Sequence, residues 1–287
     1  MTATSTAQAS LADTIAASVN IPAQPALLRA VQQELQKADP DPRAVSSIVV
    51  KDVAMSAALV RLANSAAFGG RRQIDSLAQA ISYLGLRHTI ELLTSLLLKN
   101  TPDLAGPQMP RFWDAASKRA LAMRYMARKT FAAEVDVAYT CGLFCDIGIA
   151  LLMRKFDTYV QTLAYANGAQ TEPFLVVENA RHGTNHAVVG ALMARGWGLS
   201  DTVVQAVRMH HDYDAFEDNS IAAPVRELSA LLLLADRAVQ SHRGLNKTVE
   251  WEKGGAQALS TLMVSPAQFD EFADAIHELF DSEETSQ

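Results

Sequence analysis

Asp146, His186, His210, His211 and Asp236 are the side chains of this 287-residue chain whose types and spacing could do chemistry together. They stand in Gly142-Leu-Phe-Cys145-Asp146-Ile-Gly148, His182-Gly-Thr-Asn-His186, His210-His211 and Leu233-Leu-Ala-Asp236. Imidazole and carboxylate are donors to divalent metals. The same groups also serve as hydrogen-bonded core residues, so each has two readings. Asp146 pairs with a neighbouring His or Arg, or ligates a metal with at least two further donors. His186 falls in the first turn of a helix, behind Thr184 or Asn185 as cap. His182 reads as a loop residue. It has one-face spacing to His186, but Gly183-Thr-Asn interrupts the helix that spacing needs. His210 and His211 point about 100° apart on a helix and cannot share a metal unless the helix ends there. In the structural reading one faces the site and the other caps the helix C-terminus, where a protonated His is favourable. Asp236 closes the apolar run Leu231 to Ala235. A buried carboxylate needs a partner. Arg237 points elsewhere on the helix, so a His of the set is expected, giving a polar core network.

Other chemistries find no support. The chain lacks a GxxxxGK[ST] phosphate loop, a GxSxG elbow and Cys/His groups with structural-zinc spacing. Cys141 and Cys145 are its only cysteines. Four apart on a helix they share a face, but they form neither a CxxC pair nor a disulfide framework. Cys145 reads as a small buried hydrophobe rather than an activated thiol.

The elements that must position these groups read as helices throughout. Residues 1–20, rich in Ala, Ser and Thr, are expected to be a loose arm. Pro25 opens a helix with Leu27, Leu28, Val31 and Leu35 on one stripe. Asp52 caps the next, and Asp75 or Ser76 caps a short helix that stops at Gly85. An apolar helix follows over 87–99. Asn64 and Ser65 are local capping and turn residues. Arg71 and Arg72 are surface charges, or an anion site. Thr101 to Pro110 holds three prolines and a glycine and marks the internal boundary. Helices are then expected at 111–131, 136–154, 156–167, 173–181, 185–195, 201–210, 224–241 and 266–280, with a polar loop at 212–220. The fold class is all-α: a helical block over 21–105, and a second over 106–287 that includes a C-terminal extension. The first long helix of that second block holds Arg111, Lys118, Arg119, Arg124, Arg128 and Lys129 against one acid, Asp114. It reads as a solvated basic face, with an anion site for a signalling nucleotide as the other reading.

Apolar residues make up 49% and charged residues 20%, enough to bury a core. No apolar run reaches the roughly 18 residues of a membrane span, and no signal peptide is evident. With so few cysteines, a reducing, cytoplasmic setting is expected. The net charge of −6 disfavours nonspecific nucleic-acid binding. From Asp201 onward there are 6 Lys/Arg and 16 Asp/Glu, net −10, which leaves +4 for the rest. This acidic third is a solvated face, or a docking surface for a basic partner.

Ordered motifs run along both blocks. Ile21-Pro22, Asp52-Val-Ala-Met-Ser56, Arg61-Leu-Ala-Asn64-Ser65-Ala-Ala-Phe68-Gly69 and Ala80-Ile-Ser-Tyr-Leu84-Gly85 are followed by Phe112-Trp113, Gly142-Leu143, Asp146-Ile-Gly148, Gly183-Thr-Asn-His186, Val189-Gly190, Trp197-Gly-Leu199 and His210-His211. Together these resemble the HDOD family, the HD-related output domain of bacterial signalling proteins, over residues 20–212. The resemblance implies an all-α regulatory module whose N-terminal block packs on a degenerate HD-like block. Catalytic HD enzymes hold divalent metal with a His, an adjacent His-Asp pair and a later Asp, and the metal activates water and polarises a phosphoryl oxygen. Carried over, the first ligand lands near Ala115, the pair becomes Cys145-Asp146, and Asp236 matches the last Asp. Two of four ligands survive. The expectation is therefore a non-catalytic signalling protein with no cofactor. It would bind a signalling protein, or a nucleotide second messenger, but neither nucleic acid nor membrane. The alternative is a metal-dependent phosphohydrolase with a rearranged site of Asp146, His186, His210, His211 and Asp236 and a divalent metal.

Overall fold

Caps and apolar stripes together account for the helices of the chain's first unit, Gln24–Ala105, with which the residues from Ala275 onward also cluster. The structure is a computed structural model that describes residues 14, 18–64, 73–106, 109–242 and 248–284. Helix α1 is Ala26–Leu35, α2 Pro42–Val49, α3 Val53–Ala63, α4 Leu77–Leu84 and α5 Leu86–Lys99. Asp41 caps α2 by accepting from the Arg43 amide at 2.8 Å. Asp52 caps α3 through the Met55 amide at 3.0 Å, and Ser76 caps α4 through the Gln79 amide at 3.2 Å. Each satisfies a donor that the first helical turn leaves without a partner. The inward stripes meet in a core of Val31, Val45, Val49, Leu59, Ile81 and Leu93. Asn64 clips the chain on both sides of the segment that follows it. Its amide donates to the Ile74 carbonyl at 2.7 Å, and its oxygen accepts from the Ile74 amide at 2.8 Å. Ser65, Arg71, Arg72 and most of the expected N-terminal arm lie outside the described residues.

The second unit is Gly106–Asp274 with the described residues ahead of Gln24. It holds α6 Met109–Thr130, α7 Val135–Phe144, α8 Ile147–Lys155, α9 Tyr159–Gly168, α10 Phe174–His182, α11 His186–Gly196, α12 Asp201–Met209, α13 Ala223–Ser241 and α14 Glu250–Thr261; α15, Pro266–Glu284, begins in it. No strand occurs among the described residues, as the all-α expectation required. Three local expectations need correction. The helix expected over 136–154 is two helices, broken where Cys145 and Asp146 turn between α7 and α8. His182 is the last residue of α10, not a loop residue. The loop expected over 212–220 contains a 3₁₀ turn, Asp214–Phe216.

The break matters because Val135–Lys155 is, by length and composition, the one described stretch apolar enough to cross a membrane. It bends at its middle, and 67% of its most apolar window is buried. It is core. Helix α6 packs along α7 and α13, and α11 packs on α8 and α12. The α8–α11 crossing is unusually close. A Cβ on Gly148 would stand 2.1 Å from the His186 carbonyl oxygen, so only glycine lets the two backbones meet. Gly183, at φ +69°, takes the left-handed turn that ends α10 and re-aims the chain into α11.

Candidate functional site

Five segments converge in the second unit. Arg119 comes from the middle of α6, one turn beyond Ala115 and on the same helical face. Cys145 and Asp146 come from the α7–α8 corner, and His186 from the first residue of α11. His210 caps the end of α12, with His211 next, and Asp236 comes from α13. Asn185 fixes His186 in place by capping α11 through the Val188 amide at 2.9 Å.

The centre of the cluster is a cation that the chain supplies itself. The Arg119 guanidinium donates through Nη2 to Asp146 Oδ2 at 2.6 Å and through Nε to Asp236 Oδ1; its Nη1 lies 3.0 Å from Cys145 Sγ. Its three nitrogens thus face Cys145, Asp146 and Asp236, the three residues onto which the sequence resemblance carried HD-type metal ligands. Arg119 and Arg124 are both buried, so the basic face expected on this helix is only partly solvated. The partner expected for Asp236 was a histidine, and it is Arg119. The reason is geometric: a residue one turn beyond Ala115 reaches both carboxylates. Burial works against the Arg119 charge, but Asp146 and then Asp236 outweigh it and hold the guanidinium firmly protonated. Burial likewise opposes the Asp146 charge. Arg119 and a hydrogen bond from His210 overcome this and hold Asp146 well below the usual carboxylate range. Asp236 moves the other way. Burial and the nearby Asp146 charge raise it despite Arg119, because one guanidinium cannot neutralise two enclosed carboxylates. Burial pushes the Cys145 thiol up, which fits a hydrophobe rather than a nucleophile. A divalent ion among Cys145, Asp146 and Asp236 would have to displace a permanent cation. The residues there do not fit the HD-type metal.

Beside this cluster the histidines gather. His186 Nε2 and His210 Nε2 are 3.2 Å apart, and Asp146 Oδ1 lies 3.7 and 3.5 Å from them. His211 stacks on Phe174 with ring centroids 4.7 Å apart. Because α12 ends at Met209, His210 and His211 both turn toward the site, which a continuing helix would prevent. Two acids missed in the sequence orient these rings. Glu178, fully buried in α10, accepts from His186 Nδ1 at 2.8 Å and from the Tyr159 hydroxyl. Glu250, first residue of α14, accepts from His211 Nδ1 at 2.8 Å and the Tyr213 hydroxyl at 2.5 Å, and pairs with Lys253 at 2.8 Å. Burial opposes the charge on Glu178, yet His186 and Tyr159 hold it below its ordinary value. For Glu250 the bonds from His211, Lys253 and Tyr213 outweigh burial and bring it down to about 2. The signal for Glu178 was its place in the apolar run Leu-Val-Val-Glu, the same signal that marks Asp236. His182 stays apart, bonded through Nε2 to Thr162 Oγ1 at 2.8 Å. Arg119, Asp146, His210, His211 and Asp236 line one side of a cleft of about 920 Å³; Ile149, Met153, Leu163 and Leu233 are among its apolar walls.

A family model described as the HDOD domain matches residues 21–213. An uncharacterised protein of Treponema pallidum is 26% identical over 216 residues, which is 74% of this chain and 41% of that protein. The chain thus spans well under half the length of that relative. Two solved structures align over 94% of this chain. One, from Shewanella amazonensis, is named "Putative phosphohydrolase"; it is 20% identical, is covered over 96% of its length and has a TM-score of 0.71. The other, from Marinobacter aquaeolei, is named "Putative signal transduction protein"; it is 17% identical, is covered over 60% and has a TM-score of 0.67. At these identities the likeness is one of fold.

Proposed function

The chain belongs to the HDOD domain family, and on that premise we propose that it is a non-catalytic regulatory protein of bacterial signal transduction that acts by binding a protein partner. One observation carries the reading: the Arg119 guanidinium stands among Cys145, Asp146 and Asp236, where an HD phosphohydrolase needs its metal. Metal-assisted hydrolysis needs a divalent ion to activate water and carry charge on a phosphoryl oxygen. Arg119 can do neither: it is protonated, its donors are engaged by carboxylates, and it has no exchangeable coordination position. Its role is to hold α6, the α7–α8 corner and α13 together. The acidic C-terminal third supplies a docking face for a basic partner.

The alternative, a phosphohydrolase with a rearranged site of Asp146, His186, His210, His211 and Asp236, draws its support from the convergence of those side chains. The deciding assay uses the pure, tag-free chain with Mg²⁺ or Mn²⁺ on linear and cyclic phosphodiesters. The proposal expects no turnover above the metal-only blank. Turnover that depends on metal and disappears in Asp146→Ala would establish the alternative. A third arm tests the cleft for a nucleotide second messenger by thermal shift, since a ligand specific for the folded state raises Tm by mass action.

A further inference from the structure

Helix α3 carries a single charged residue, Arg61, among its 11. A helix that is apolar on every side is normally enclosed. α3 is enclosed on one side only. Met55, Leu59 and Ala63 are buried in the first unit, while Val53, Ala54, Ala57 and Arg61 are exposed. Positions 53, 57 and 61 follow at four-residue steps with 54 beside them, so they form one stripe along the helix. Val53 is 79% exposed, and Val50, at the end of α2, is 57% exposed.

Cations frame this stripe. Lys51 stands just ahead of α3 and Arg61 in its last turn, both exposed. Neither forms an ion pair among the described residues. Asp52, the acid between them, is turned onto its own helix start, where it accepts from the Met55 amide at 3.0 Å. The face is thus apolar in its middle and positive at both ends.

That pattern selects among occupants. A second copy of α3 laid on the stripe would set Lys51 and Arg61 against themselves or each other, whichever way it ran, and like charges in contact repel. Membrane surfaces are entered by bulky Trp, Phe and Leu side chains; Val and Ala reach too little, and the net charge of −6 opposes anionic lipid. Short side chains suit a helix instead. With only a methyl group at 54 and 57, a partner helix can approach α3 to about 8–10 Å between axes. Its apolar stripe would cover Val50 and Val53, and acids on its flanks would answer both cations.

We propose that the outer face of α3, with the end of α2, docks an acidic amphipathic helix of a protein partner. This deepens the reading of the chain as a regulator that binds a protein, and rests on it. The two fail separately. Metal-dependent phosphodiester turnover would remove the non-catalytic reading, whereas failure to bind the peptide below removes only this face.

The test uses the full-length chain and a fluorescent helical peptide of about 20 residues. Leucines three and four apart line one side of it, with glutamates on both flanks; a second peptide carries lysine at every glutamate position. In anisotropy titrations the acidic peptide is expected to bind saturably, more weakly as salt rises, and about tenfold or more tighter than the lysine peptide. Ala57→Glu should weaken binding by about tenfold or more with the circular dichroism unchanged. The double variant Lys51→Glu, Arg61→Glu should move the preference to the lysine peptide. If Ala57→Glu does not fold, Val53→Ser replaces it, at a side chain that already faces solvent. No saturable binding, equal binding of both peptides, or folded variants that bind like the wild type would overturn the proposal. So would self-association, or binding to phosphatidylglycerol vesicles, that is lost in Ala57→Glu, since either gives the face another occupant.

Discussion

Arg119 spans the gap between two carboxylates from different helices, and its loss should be felt as a buried charge imbalance rather than as a missing contact. In Arg119→Met, Asp146 and Asp236 are left enclosed with no cation between them. Removing one partner of a buried ion pair costs about 3–5 kcal/mol. Urea unfolding at neutral pH should therefore show a loss of about that size, and a loss below about 1 kcal/mol would show that the cluster contributes little. His182 gives a second residue-level expectation. Burial lowers its pKa, with Glu178 opposing. The folded chain therefore refuses a proton that the unfolded chain accepts. Stability falls as pH drops below the ordinary histidine range toward the depressed folded value, and it does not change above that range. An NMR titration should place the His182 midpoint below that of a free histidine; a midpoint at or above it contradicts the burial argument. Asp146, His186, His210, His211 and Asp236 were legible as one set in the sequence. Arg119 was not, because six cations on one long helix look like a solvated face. Its spacing of four from Ala115 was the overlooked sign.

Helix ends and crossings decide where those residues point. Asn185→Ala removes the cap that seats His186 and should lower stability by about 1 kcal/mol, read as a small fall in Tm. Gly148→Ala is harsher, since the added methyl would land on the His186 carbonyl. Overpacking of this kind costs about 3 kcal/mol. Because the clash is with the His186 backbone, the His186 ring signals should shift in NMR spectra, whereas an effect on stability alone would place the strain elsewhere. Caps such as Asp52 and Ser76 were readable because their side chains act within three residues. The turn at Cys145–Asp146 was not, since it carries neither Gly nor Pro and is imposed by the packing of α7 and α8 in the core. The helix Glu250–Thr261 was also missed. Its double glycine, Gly254-Gly255, argues against a helix by propensity. The tertiary reason is visible at Gly254, where a Cβ would meet the Tyr213 ring at 2.4 Å.

Across the molecule, the second unit reaches back to the start of the chain. The indole of fully buried Trp197 donates to the Pro22 carbonyl at 3.0 Å. Trp197→Phe keeps an aromatic ring edge-to-face with Phe144 and deletes only this donor, leaving the Pro22 carbonyl without it. A loss of about 1–3 kcal/mol in chemical denaturation is expected; no loss would mean that water satisfies the carbonyl. Helical class was plain from the absence of any two-residue alternation. The Trp197–Pro22 bond was not, because nothing local marks a contact 175 residues long.

The guanidinium between Asp146 and Asp236 also constrains what mutation can do to this lineage. Placing histidines at positions 115 and 145 would not by itself create an HD-type centre, because the Arg119 guanidinium would still stand between Asp146 and Asp236. Removing Arg119 first passes through a chain with two uncompensated carboxylates. Neither change alone therefore opens that position to a metal ion. The two changes are coupled, so the effect of either depends on whether the other is present.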